Sequence, residues 1–197
     1  MDFTQYLVTV RNRAAKLDRA DQIEHAQLGM ISEVGEIANL YKRCLAYGRP
    51  FDAVNLLEEI GDVIWYFALY CDEKEISMRK LDSWVAQSAS ESVASGAQAS
   101  DMAVVRVLNA GLSLAAAQTE LGLSEADLLE GLEASVQMLV LLLHRHGFTV
   151  RQCLLVNDAK LTARNKGETF NLQATLERDL DNERAVLEAG AGNGQAQ

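Results

Sequence analysis

Two pairs of acids carry the most chemical information in this chain: Glu33-Val34-Gly35-Glu36 and Glu59-Ile60-Gly61-Asp62. On a helix, side chains at i and i+3 leave from nearly the same face. With 3.6 residues per turn, Glu33 falls among Met30, Ile37 and Leu40, and Glu59 among Leu56, Val63 and Tyr66. The acids therefore lean toward the apolar side of their helices. Glu58 points about 160° away from Ile60 and reads as a surface acid. A single E-x-x-E on a helix is usually a solvated face. Two such pairs, each in phase with an apolar stripe on adjacent helices, point to four converging carboxylates.

Converging carboxylates repel one another, and burying them unpaired costs several kcal/mol each. Divalent cations relieve that cost. An all-oxygen set from Asp and Glu suits a hard ion, Mg²⁺ with Mn²⁺ able to substitute. Such an ion keeps positions open for water and phosphate oxygens, which points to phosphoryl chemistry. Di-iron bundles also turn carboxylates inward, but they use Glu-x-x-His. No Glu stands three residues before His25, His144 or His146.

The elements that must position these acids are helices. A first helix fits residues 3–17, and helical spacing resumes near Asp21, a candidate N-cap, as far as Tyr47. Gly48-Arg49-Pro50 breaks the chain, and a third helix covers 52–73. The short turn makes the second and third helices antiparallel neighbours. A fourth begins near Ser77, and 87–100, rich in Ser and Ala, reads as a linker. Helical pattern returns over 101–121, 124–144 and 149–164, with a charged, helix-like segment from 167 to 187. Ser124 and Asp127 have the form of a capping box, and Gly147 suits the end of that helix. The expected fold is all-α, an antiparallel helical bundle in a single domain over 1–187, followed by a disordered tail at 188–197.

Composition agrees and excludes other classes. With 197 residues, 49% of them hydrophobic and 23% charged, the chain is sized and built for one globular core. One proline and few glycines before the C-terminal end argue against an all-β protein. A net charge of −10 is the wrong sign for a broad nucleic-acid surface. Cys44, Cys71 and Cys153 form neither a disulfide framework nor a zinc pattern. No signal-like N-terminus and no apolar run of membrane-spanning length are present, so a cytoplasmic location away from membranes is expected.

A faint repeat joins two parts of the chain. Shifted by 72 residues, Leu56–Leu81 overlays Leu128–Cys153 with identities that include Leu56/Leu128, Glu58/Glu130 and Arg79/Arg151. The acids Glu59 and Asp62 correspond to Gly131 and Ala134. A degenerate second repeat and a simple helical insertion over roughly 82–150 both fit.

The stretches Leu28-Gly29-Met30-Ile31-Ser32-Glu33-Val34-Gly35-Glu36, Tyr47-Gly48-Arg49-Pro50 and Leu57-Glu58-Glu59-Ile60-Gly61-Asp62-Val63-Ile64-Trp65-Tyr66 resemble the MazG-like all-α nucleoside triphosphate pyrophosphohydrolases. The spacer from Ile37 to Glu58, 22 residues, lies within the family's range. A second block, Asn157-Asp158-Ala159-Lys160-Leu161-Thr162-Ala163-Arg164 followed by Gly167, Phe170 and Arg178-Asp179-Leu180, is also family-like. The resemblance covers roughly 22–82 and 150–187. In compact family members the second block follows the first almost at once. Its displacement here leaves the position of Lys160 relative to Glu59 open.

The resemblance implies hydrolysis of a (d)NTP between the α- and β-phosphates, giving a monophosphate and pyrophosphate. It implies that Glu33, Glu36, Glu59 and Asp62 bind Mg²⁺, with Glu33 the candidate general base, and that Asn157, Lys160 and Arg164 contact phosphates. It also implies a homo-oligomer, dimer or tetramer. The alternatives are a non-catalytic, degenerate nucleotide- or protein-binding module and a phosphoribosyl-ATP pyrophosphohydrolase. Lys42, Arg43 and Arg49 as phosphate contacts, and Trp65, Tyr66, Trp84 and Gln27 as base contacts, are weaker candidates and receive no role.

Overall fold

The computed structural model of the chain describes residues 1–95, 99–167 and 169–192, with the backbone alone at 91–95 and 119. Among the described residues every regular element is a helix: α1 (Phe3–Arg13), α2 (Arg19–Tyr47), α3 (Ala53–Glu73), α4 (Met78–Ser95), α5 (Asp101–Ala116), α6 (Gln118–Leu121), α7 (Glu125–Arg145), α8 (Val150–Asn165), α9 (Leu172–Leu176) and α10 (Leu180–Gly192). The all-α expectation is met. Among the described residues no helix is long and apolar enough to cross a membrane.

Local chemistry sets the ends of the two long helices. Asp18, not Asp21, caps α2, its carboxylate accepting from the Asp21 amide. The helix stops where Gly48 turns left-handed at φ 61°, a conformation that suits glycine. Asp52 then accepts from the Asn55 amide and opens α3. The intervening turn folds α3 back along α2, and the two pack side by side. Met30, Val34 and Ile37 of α2 enter the buried core with Leu56, Ile60, Val63 and Phe67 of α3. Burial of each such side chain contributes about 1.5–3 kcal/mol.

Two glycines mark where backbones approach side chains most closely. A Cβ at Gly29 would lie 2.2 Å from the Tyr66 ring, and one at Gly61 would lie 2.9 Å from Asn157 Nδ2. The first brings α2 onto α3; the second lets α8 settle against α3.

The α3–α4 and α7–α8 hairpins repeat each other at a constant offset of 72 residues. Helices α3 and α7 each have 21 residues, start after the caps Asp52 and Ser124, and end at Glu73 and Arg145. Both then turn through a residue of positive φ, Glu75 at 60° and Gly147 at 78°. The same hydrogen bond closes both turns, Ile76 N to Cys71 O and Phe148 N to Leu143 O, each 2.8 Å. The pairing is crossed. Helix α8 packs on α3, and α4 packs on α7.

Several sequence expectations move. Helix α4 continues to Ser95, so most of the linker expected at 87–100 is helical, and 96–98 lie outside the described residues. The segment expected as one helix over 101–121 divides into α5 and the short α6. The tail expected to be disordered from 188 is helical through Gly192 as the end of α10, and 193–197 lie outside the described residues. The charged segment expected to be helical from 167 to 187 divides into α9 and α10, and α10 is seated by buried Leu187 and Ala191, by Arg184 on Asp52 at 2.8 and 3.2 Å, and by Gln152 Nε2 donating to Gly190 O at 3.1 Å. Cys71 and Cys153 are buried free thiols and Cys44 is half-buried.

Candidate metal centre and active site

Glu33 on α2 and Glu59 and Asp62 on α3 converge. One carboxylate oxygen from each lies within 4.8 Å of the others, and all three residues are half-buried. They form one wall of a cavity of about 700 Å³. Glu36 also lines that cavity but is exposed and stands outside the three-carboxylate group.

Helix α8 meets the acids from below. Lys160 is fully buried, and its Nζ donates to both oxygens of Asp62 at 2.6 and 2.5 Å. Asn157 Nδ2 donates to Asp62 Oδ1 at 2.7 Å, while Tyr6 OH donates to Asn157 Oδ1 at 2.5 Å. Asn157 and Lys160 thus serve Asp62 in this structure, in place of the open phosphate contacts that the resemblance implies. Arg164, one turn further along α8, does line the cavity.

Glu58 is not a surface acid. Its side chain is 17% exposed, it lines the cavity, and it accepts from Lys160 Nζ at 3.4 Å. The rotation that takes it away from Ile60 carries it toward α8, an element that the sequence does not place beside α3. Arg178, between α9 and α10, stands 3.8 Å from Glu58 and completes a basic wall with Arg164.

A third wall is aromatic. His25 and Trp65 each meet the Tyr66 ring edge-on, with centroids 5.4 and 4.9 Å away. His25 Nδ1 and Trp65 Nε1 are buried without a hydrogen-bond partner among the described residues. Trp84 lies elsewhere, buried on α4 with Lys80 near its ring, and Gln27 donates to Ala116 O at 2.8 Å. Lys42, Arg43 and Arg49 are exposed and do not line the cavity.

Crowding shows in the acid–base properties. Burial, then the Asp62 charge, pushes the Glu33 carboxyl up to about 7. Burial, then the charges of Asp62, Glu58 and Glu33, pushes Glu59 up to about 8. Lys160 supplies the one ammonium buried among these acids. The excess negative charge, carried by oxygens alone, fits a hard divalent cation held by Glu33, Glu59 and Asp62.

A stability consequence follows with a definite sign. The folded chain binds protons at Glu33 and Glu59 more tightly than the unfolded chain does. Their contribution is complete below the ordinary carboxyl value and is lost as pH rises through about 7 and 8. His25, lowered by burial, acts in the opposite sense but only below its usual value of 6.5. The metal-free protein is therefore expected to lose roughly 1–2 kcal/mol, about 5 °C in Tm, between about pH 6.5 and about pH 9, after allowance for solvent screening. Thermal melts in a chelator check this, and Glu59→Gln should flatten the slope. A Tm that stays level across the window in the parent chain contradicts the crowding.

No protein-family model, curated protein or solved structure matches the chain.

Proposed function

We propose that the chain is a Mg²⁺-dependent nucleoside triphosphate pyrophosphohydrolase of the MazG-like type. The observation that carries this reading is the convergence of Glu33, Glu59 and Asp62, from two antiparallel helices, on one wall of a cavity that also bears arginine and aromatic walls. Metal-binding acids, anion-binding guanidiniums and flat apolar surfaces are the three things that a nucleotide's polyphosphate and base require.

A bound Mg²⁺ would supply charge neutralisation for the polyphosphate and for the acids themselves. Glu33, Glu59 and Asp62 would hold it, and Lys160 and Asn157 fix Asp62 for that task. Glu33 would serve as the general base, taking a proton from the attacking water. The water oxygen bonds to the α-phosphorus as the bond from that phosphorus to the α,β-bridging oxygen breaks. The products are the monophosphate and pyrophosphate.

The test is a panel of ribo- and deoxyribonucleoside triphosphates with Mg²⁺, analysed for monophosphate and pyrophosphate. Turnover of at least one nucleotide to those products, abolished by chelator, is expected. Release of orthophosphate, or no turnover across the panel, overturns the reading. Phosphoribosyl-ATP belongs in the same panel, since its cleavage in preference to every nucleotide would identify that enzyme instead.

A further inference from the structure

Glu183 stands out as a buried acid that the reaction above does not use. It is 2% exposed, on α10, and it holds two arginines at once. Arg164 donates to it through Nε at 3.0 Å and Nη2 at 2.8 Å. Arg178 does the same through Nε at 3.2 Å and Nη2 at 2.6 Å. Burial alone would raise the Glu183 carboxyl; the hydrogen bonds from both arginines outweigh it and hold it at about 2. The carboxylate is therefore charged at any working pH.

Each arginine spends the same edge of its fork on Glu183. The Nη1 end of each has no partner among the described residues, and both residues line the cavity. Two guanidiniums sharing one carboxylate leave a single net positive charge, fixed in direction, on the wall that faces the acids. A buried ion-pair cluster of this kind gains little stability over apolar packing; what it secures is geometry. Helix α10 is anchored to suit, through Arg184 on Asp52 and by the close approach of Gly190 to Val156.

We propose that Glu183 is a positioning residue, presenting Arg164 and Arg178 as a paired-guanidinium receptor for the pyrophosphoryl end of a polyphosphate. This rests on the reading that a polyphosphate enters the cavity. It extends that reading to Arg178 and to the C-terminal helix.

Neutralising Glu183 separates positioning from simple charge balance by sign. If Glu183 only offset charge, Glu183→Gln would leave the wall more positive and tighten anion binding. If it positions the forks, binding loosens. The experiment is calorimetric binding of inorganic tripolyphosphate to the full chain with Mg²⁺, beside Mn²⁺ affinity and Tm. Glu183→Gln is expected to weaken tripolyphosphate about tenfold or more, with Mn²⁺ affinity unchanged. Arg178→Gln should weaken it similarly, and the double variant should lose less than the two single losses combined.

Unchanged or tighter binding by a folded Glu183→Gln overturns the proposal. Should that variant fail to fold, Arg178→Lys decides: a lysine that restores full binding shows that a positioned fork is unnecessary. A parent chain that binds no tripolyphosphate overturns the receptor outright. Nucleotide turnover by the parent is scored separately, so the clamp and the hydrolase reading can fail independently.

Discussion

Glu59→Gln is expected to lower nucleotide turnover by about 10²–10³-fold while raising the stability of the metal-free protein. The two effects have one cause. Glu59 lies within 4.8 Å of Glu33 and Asp62 at its carboxylate oxygen, with Glu58 adding further negative charge, and its carboxyl is pushed up to about 8. The isosteric amide keeps the packing and can still accept from Asn55, which now donates to Glu59 Oε1 at 3.1 Å. It removes the charge that strains the apo protein and the charge that a cation needs. Steady-state kinetics and chelator melts at about pH 8.5 read the two halves. A variant that keeps full activity, or one that is less stable than the parent, contradicts the assignment.

Lys160→Met is expected to be the most destabilising single change at the site, by roughly 3–5 kcal/mol. The methionine fills similar volume, so the loss is electrostatic. Asp62 loses contacts of 2.6 and 2.5 Å to the one ammonium that neutralises it, and Glu58 loses its partner at 3.4 Å. Excess Mg²⁺ should recover part of the loss, because a cation bound by Asp62 replaces the missing charge. Lys160→Met combined with Asp62→Leu should recover most of it at the expense of activity, which identifies the uncompensated carboxylate as the cause. Denaturant melts of the three variants check the set. If Lys160→Met costs under about 1 kcal/mol, the ion pair is not what holds α8 to α3.

Much of this protein is written locally in its sequence. Helical periodicity, the Gly48 stop, the Asp52 start and the Ser124 capping box depend on neighbours within a few residues, and all are visible without coordinates. The inward phase of Glu33, Glu59 and Asp62 is local too, because the short turn between α2 and α3 dictates that the helices lie antiparallel. What local pattern does not carry is which helix covers that hairpin. The two hairpins, offset by 72 residues, start after equivalent caps and end alike, so helix pattern alone does not say which of α4 and α8 packs on α3. Close contact at Gly61, which seats Asn157, and the Lys160–Asp62 pair are found in the crossed arrangement. That pairing across about a hundred residues turned Glu58 inward and buried Lys160, while α10, seated by Leu187 and Ala191 as well as by ion pairs, set Glu183 against the cavity-lining Arg164 and Arg178. Hydrophobic periodicity is blind to such anchors, since charged residues on a helix read as solvated until a partner from elsewhere in the chain is placed beside them.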